Sequence, residues 1–292
     1  MDTHTVQAEA ATKRSGKGAA SRGTAWLWLT APVAVLAAVA TLGELFFSDV
    51  FRRDTVYLVV QALGQDVVTL GIALPALVIG ALLAGRGSGR ARMVWLGALL
   101  YLVYTYAIYA FQVDFNPLFL VYVGLLGCSL YALIGGLATT DMKGTRARFG
   151  AGTPTRTVSI FLAVVAAMFY LVWLSETLPA VLSGGTPQGV LDNGTPTSAV
   201  HVLDMACVLP AMALTSVWLR QGRALGYVLA GVLLTFLTLL AAAIVGMMVA
   251  MWAEGQPVAL GMALVFGLVW AASLGTLLWY LGGYGKEARD GG

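Results

Sequence analysis

Eight apolar stretches, each about 20 residues or longer, constrain this chain more than anything else in it, because a helix of that length is what crosses a hydrocarbon core roughly 30 Å thick. They run over 25–47, 56–84, 91–113, 117–139, 157–182, 199–219, 223–252 and 258–284. A spanning segment must satisfy its own backbone hydrogen bonds, and none of these stretches alternates as a barrel strand does. Each therefore reads as an α-helix, and the fold class is all-α: a polytopic integral membrane helix bundle. Composition excludes the alternatives. Of 292 residues, 59% are hydrophobic and 11% charged, too little polar surface for a water-exposed body and too much apolar surface for a disordered one.

Lys and Arg set the expected orientation. With the N-terminus in the cytoplasm, fifteen of the seventeen basic residues fall inside, and only Arg52 and Arg53, beside Asp49 and Asp54, fall outside. Both termini are then cytoplasmic, and the net charge of +3 follows from topology rather than from a nucleic-acid-binding face. Residues 1–24 read as a flexible basic tail and 285–292 as a short cytoplasmic tail. The start of the chain, with Ala38-Val39-Ala40, resembles a cleavable signal, but its apolar run continues to Phe47 and so spans the bilayer. The expected location is the plasma membrane, of a bacterial inner-membrane kind.

The segment Asp66 to Ala76 in the second span can be laid on His201 to Ala211 in the sixth without a gap, with Leu74-Pro75-Ala76 over Leu209-Pro210-Ala211. Leu42-Gly43-Glu44 pairs with Leu174-Ser175-Glu176 at nearly the same offset. This suggests two four-helix halves, 25–139 and 157–284, joined by a basic linker, 140–156, and related as the parallel repeats of some transporters are. The competing explanation is coincidence in an alphabet rich in Ala, Leu, Val and Gly.

Ionisable residues inside spans are costly and so are candidates for function. Asp66 precedes Arg86 by twenty residues and His201 precedes Arg220 by nineteen, about 30 Å of helix, which puts both near the outer edge together with Glu44 and Glu176. Taken singly, each acid reads as part of a solvated rim. Uncharged polarity raises the group above that: Tyr57, Gln61, Gln65 and Thr69 form one stripe, and Tyr101, Thr105 and Gln112 another, with Tyr104 and Tyr109 on its flanks. His201 and Asp204, at i and i+3, share a face, an arrangement that suits a proton acceptor or a metal ligand with its orienting carboxylate. A lone histidine near an interface is more often simply structural.

No cofactor is expected. His4 lies in the tail, so one chain cannot hold a bis-histidine haem within the membrane. Cys128 and Cys207 sit in apolar runs with no C-x-x-C. A metal would require His201, Asp204 and Asp66, with Glu176 and Glu44, to converge from separate helices, and Met247, Met248 and Met251 read as packing rather than as copper ligands. Pro75 and Pro210 break the helical ladder and are candidate hinges. Residues 183–198, rich in Gly and Pro, read as an irregular outer loop, able to act as a lid. Asn193-Gly194-Thr195 fits the glycosylation pattern, but Pro196 follows it.

The expected function is a proton- or cation-linked carrier of a small solute, with Asp66, His201, Asp204, Glu176, Glu44, Gln61, Gln65, Tyr101, Tyr104, Thr105 and Gln112 around one outer pocket. The alternatives are an accessory or assembly subunit without a site of its own, and an outer-leaflet membrane enzyme, for which no nucleophile motif is present. The expected partners are the lipid bilayer and a small solute or cation, with no nucleic acid. The residues specify no oligomeric state.

Overall fold

A computed structural model describes residues 25–47 and 49–285; the tail 1–24 and residues 286–292 lie outside the described residues. Among the described residues, eight helices are long and apolar enough to cross a membrane: α1 (Trp26–Phe46), α2 (Val56–Gly85), α3 (Gly89–Gln112), α4 (Phe119–Ala138), α6 (Thr155–Ser183), α8 (Ala199–Arg220), α9 (Ala224–Ala253) and α10 (Leu260–Gly282). Two short helices, α5 (Met142–Ala147) and α7 (Gln188–Asn193), sit between them. The architecture is that of a multi-pass helical membrane protein.

The third and seventh spanning helices form the centre. In their most apolar stretches, 67% of α3 and 78% of α9 is buried, against at most 39% in any other span. Small residues let the backbones approach, as helix packing in lipid requires. A Cβ on Gly97 of α3 would stand 2.6 Å from the Val232 carbonyl oxygen of α9, and one on Gly231 of α9 would stand 2.6 Å from Met93 Sδ. Gly64 of α2 and Gly246 of α9 abut in the same way. α1 to α4 pack into one bundle. Beyond α9, α6 lies along α8 and α10 lies along α9. α6 and α10 meet at the ring pair Phe169 and Phe266, 5.6 Å apart, and this sparse closure leaves room for a cavity.

Each expected hinge lies next to a wider turn of helix. α2 makes a π-turn at Thr69–Ala73, where the Leu74 N–H reaches back to the Thr69 carbonyl, and Pro75 follows. α8 makes the same turn at Asp204–Val208, with the Leu209 N–H bonded to the Asp204 carbonyl and Pro210 following. These segments fall on positions that the gap-free pairing of the two sequences matches one to one. Proline supplies no N–H to the carbonyl four residues back, and the ladder changes register just ahead of it. Sequence suggested a break at these points but not its form.

Two connecting segments are more ordered than loops. The segment 140–156 carries structure of its own: Asp141 caps α5 by accepting the Gly144 N–H at 2.9 Å, and Phe149 packs among Tyr227, Tyr280 and Tyr284. The segment 183–198 is not wholly irregular. Pro187 opens α7, the Gln188 amide donates to Asp192 Oδ1 at 2.7 Å one turn on, and Gly194 in the left-handed region ends the helix. Thr55 at the start of α2 donates to the Asp192 carbonyl at 3.1 Å and so ties α7 to the bundle.

Candidate functional site

At the end of the bundle opposite the arginine-rich loops, a cavity of about 360 Å³ runs between α2 and α3 on one side and α6 and α8 on the other. Gln61 and Gln65 of α2 and Tyr104 and Gln112 of α3 supply one wall; Glu176 of α6 and His201 and Asp204 of α8 supply the facing polar wall. Deeper in, the lining becomes apolar, with Val165, Phe169, Val208, Met212 and Leu237, and Ile244, Met247, Met248 and Phe266 add apolar lining elsewhere. Val165 lies eleven residues from Glu176, about 16 Å along the helix, so the cavity is polar at its mouth and greasy toward the bilayer centre. Met247 and Met248 thus line a cavity, while Met251 is buried in packing.

The polar wall is organised around a residue that sequence did not single out. His201 Nε2 lies 3.5 Å from Glu176 Oε2, with 10% of the His201 side chain exposed and 30% of that of Glu176, so the pair meets solvent from the glutamate side. The Trp173 ring lies against the imidazole, centroids 4.4 Å apart, and its indole N–H donates to Asp204 Oδ2 at 2.8 Å. His201 and Asp204 do share a face, but Trp173 takes the aspartate, and the acid beside the histidine comes from another helix. The helix widens from Asp204 onward, which changes the angle that the i, i+3 spacing implied. Trp173 stands three residues before Glu176 on the same face of α6, and that spacing was the signal available for it.

Neighbouring backbone holds these groups in place. Glu176 Oε1 accepts the Gly189 N–H at 3.0 Å, so the glutamate carries α7 across the mouth. Gln112 Oε1 accepts the Ala199 N–H at 2.9 Å, and Ser198 accepts that of His201 at 3.2 Å, so the start of α8 is fixed from α3 and from its own cap. Gln61 donates to the Tyr57 carbonyl on its own helix at 3.1 Å. Tyr170 Oη donates to the Met205 carbonyl at 2.7 Å, within the π-turn.

Four expected pocket residues do not line this cavity. Glu44 and Asp66 are 2% and 1% exposed, which overturns the solvated-rim reading for both: their carboxyl groups face each other inside the first bundle. Tyr101 bonds Thr69 at 2.7 Å within the core, so the second stripe turns partly away from the cavity, and Thr105 is buried with its hydroxyl unpartnered. Tyr109 stands between the two places, with a face on the cavity and its hydroxyl 3.4 Å from Asp66 Oδ1. Depth along a helix was legible in the sequence; rotation about its axis was not, and rotation hides these acids.

With Asp66 on the far side of Tyr109, the expected set of His201, Asp204 and Asp66 does not assemble around one point. Among the described residues no three His, Cys, Asp or Glu side chains are grouped to hold a metal ion. The class that fold and site define is a multi-pass helical membrane protein with an amphipathic cavity among its helices. Comparison of the chain with protein-family models, with curated proteins and with solved structures finds no match.

Proposed function

We propose that this protein is a carrier for a small amphipathic amine, coupled to a proton held at the Glu176 and His201 pair. The observation that carries the reading is the cavity itself. Its volume of about 360 Å³ lies in the range of small-molecule sites; its polar walls have two carboxylates, an imidazole and three glutamine amides, and among the described residues no lysine or arginine lines it. That chemistry favours a cationic head, while the Phe, Met and Ile side chains of the lining accept an apolar body.

In this reading the basic loops face the cytoplasm, both termini are cytoplasmic, and the cavity opens to the outside of a bacterial inner membrane. The two halves are copies of one four-helix unit. Support for the duplication comes from the matched π-turns with their prolines, and from the recurrence of an acid on the first helix of each half facing Asp66 or His201 on the second. Movement at the π-turns would open the cavity to the other side, as broken helices do between repeats.

The test uses proteoliposomes with an internal pH-sensitive dye and a panel of small amphipathic amines and acids added outside. Wild-type protein should give an amine-driven pH change that His201→Ala and Glu176→Gln lose. Traces that match protein-free liposomes for every amine, or amine-driven changes that survive in both variants, discard the reading.

A further inference from the structure

Inside the first bundle lies a second polar centre that the cavity does not reach. Glu44 of α1 and Asp66 of α2 face each other there. Around them stand Tyr106 and Tyr109 of α3, Tyr122 of α4 and Asn116 from the loop before α4. The three tyrosine rings pack on one another, with centroids 5.4–6.1 Å apart. Among the described residues, no Lys, Arg or His contributes to the surroundings of either carboxyl.

Glu44 Oε1, Glu44 Oε2 and Asp66 Oδ2 are buried and find no hydrogen-bond donor, and the Tyr106 and Tyr122 hydroxyls, also buried, close no hydrogen bond. Two ionised carboxylates in contact repel by about 4 kcal/mol even at an effective dielectric constant of 20, and carboxylates only accept. Contact between them becomes attractive once a proton stands between the oxygens. Asn116 Oδ1 is taken by the Leu118 N–H, which leaves its amide donors for the tyrosine side, and tyrosine hydroxyls that donate to a carboxylate meet a residual negative charge rather than a cation.

We infer that Glu44 and Asp66 form a proton site separate from the cavity, in which one proton is shared between two carboxyl groups and the remaining single negative charge is met by tyrosine hydroxyls. The path to it runs past Asn116. This residue lines a surface pocket of about 450 Å³ together with Asp49, Arg52, Arg53 and Asp114. It is only 7% exposed, accepts the Leu118 N–H through Oδ1 at 2.9 Å, and turns its side chain toward the Tyr122 hydroxyl, which in turn faces Glu44. Asn116 is a plug between the surface pocket and the pair. None of this depends on the carrier reading.

The test is infrared difference spectroscopy of the full chain in lipid nanodiscs at neutral pH. Wild type should show a carboxylic-acid carbonyl band that shifts in heavy water, is lost in both Glu44→Gln and Asp66→Asn, survives in Asp204→Asn, and is the same in sodium and choline buffers. Asn116→Ala should speed the heavy-water shift several-fold. A wild-type spectrum without such a band overturns the site and needs no variant to fold. A band that survives both substitutions overturns the assignment, one abolished by sodium shows that the pair takes a metal cation instead, and an unchanged exchange rate in Asn116→Ala overturns the path.

Discussion

Trp173 donates its indole N–H to Asp204 Oδ2 at 2.8 Å while its ring covers the His201 imidazole, so one side chain of α6 fixes two ionisable residues of α8. The bond crosses between α6 and α8, and it leaves Asp204 Oδ1 as a buried oxygen without a partner; the Tyr104 hydroxyl is turned toward the same carboxyl group.

Trp173→Phe keeps an aromatic ring on His201 and removes the donor to Asp204. Interhelical hydrogen bonds in membranes contribute about 1 kcal/mol, so the variant should melt earlier by that order. Amine-driven flux should fall further than the stability loss explains, because the carboxylate loses its orientation. Melting in detergent and flux in proteoliposomes, measured on one preparation, separate the two effects.

The backbone approaches at the centre make a sharper stability prediction. A Cβ at Gly64 would meet the Gly246 carbonyl oxygen at 2.6 Å and Met247 Cα at 2.7 Å, both backbone atoms, whereas a Cβ at Gly127 would meet nothing within 4 Å. Gly64→Ala should destabilise by about 1–3 kcal/mol through overpacking. Gly127→Ala should leave stability unchanged or raise it by up to about 1 kcal/mol. Equal melting temperatures for the two variants would contradict the packing described.

Pro75→Ala and Pro210→Ala each restore an N–H next to a π-turn. If the turns are hinges, both variants should stay folded, and flux should drop several-fold as the helices stiffen. Wild-type flux in both would remove the hinge role and leave the prolines as purely structural residues.

Asp54, in the loop before α2, accepts the Asp114 N–H at 3.0 Å. Burial pushes its carboxyl above the ordinary value of 3.8, the Asp114 N–H opposes this, and the charge of Asp114 adds to the rise. A carboxyl raised in the folded state binds more protons folded than unfolded, so its contribution to stability is lost as pH rises from 3.8 through the raised value. Asp54→Asn keeps the acceptor oxygen and should remove that part of the decline. Melting curves of wild type and variant across the acidic range should therefore diverge upward in pH, with the variant the more stable at neutrality.

Much of the fold was legible in the chain because lipid as solvent imposes a local rule: a span must be long, apolar and helical. Each stretch from 25–47 to 258–284 obeys it, and the spanning helices begin and end within a few residues of those limits. The breaks at Pro75 and Pro210 were legible for the same local reason, since a missing N–H acts on its own helix. The candidate site was legible only as a set of costly residues. Gln61, Gln65, Tyr104, Gln112, Glu176, His201 and Asp204 line one cavity, but Glu44, Asp66, Tyr101 and Thr105, chosen by the same reasoning, do not.

The sequence by itself determined how many helices are long and apolar enough to cross, where they stop, and where along its helix each polar side chain sits, because these depend on length, charge and backbone chemistry along one segment. Tertiary structure alone decided which acid meets which partner: Glu176 with His201 at a wet mouth, Glu44 with Asp66 in a closed core. That choice turns on how far each helix is rotated against its neighbours. Rotation is set by packing between distant residues, such as Gly64 on Gly246 and Gly97 on Thr235, and no periodicity within a single span encodes it.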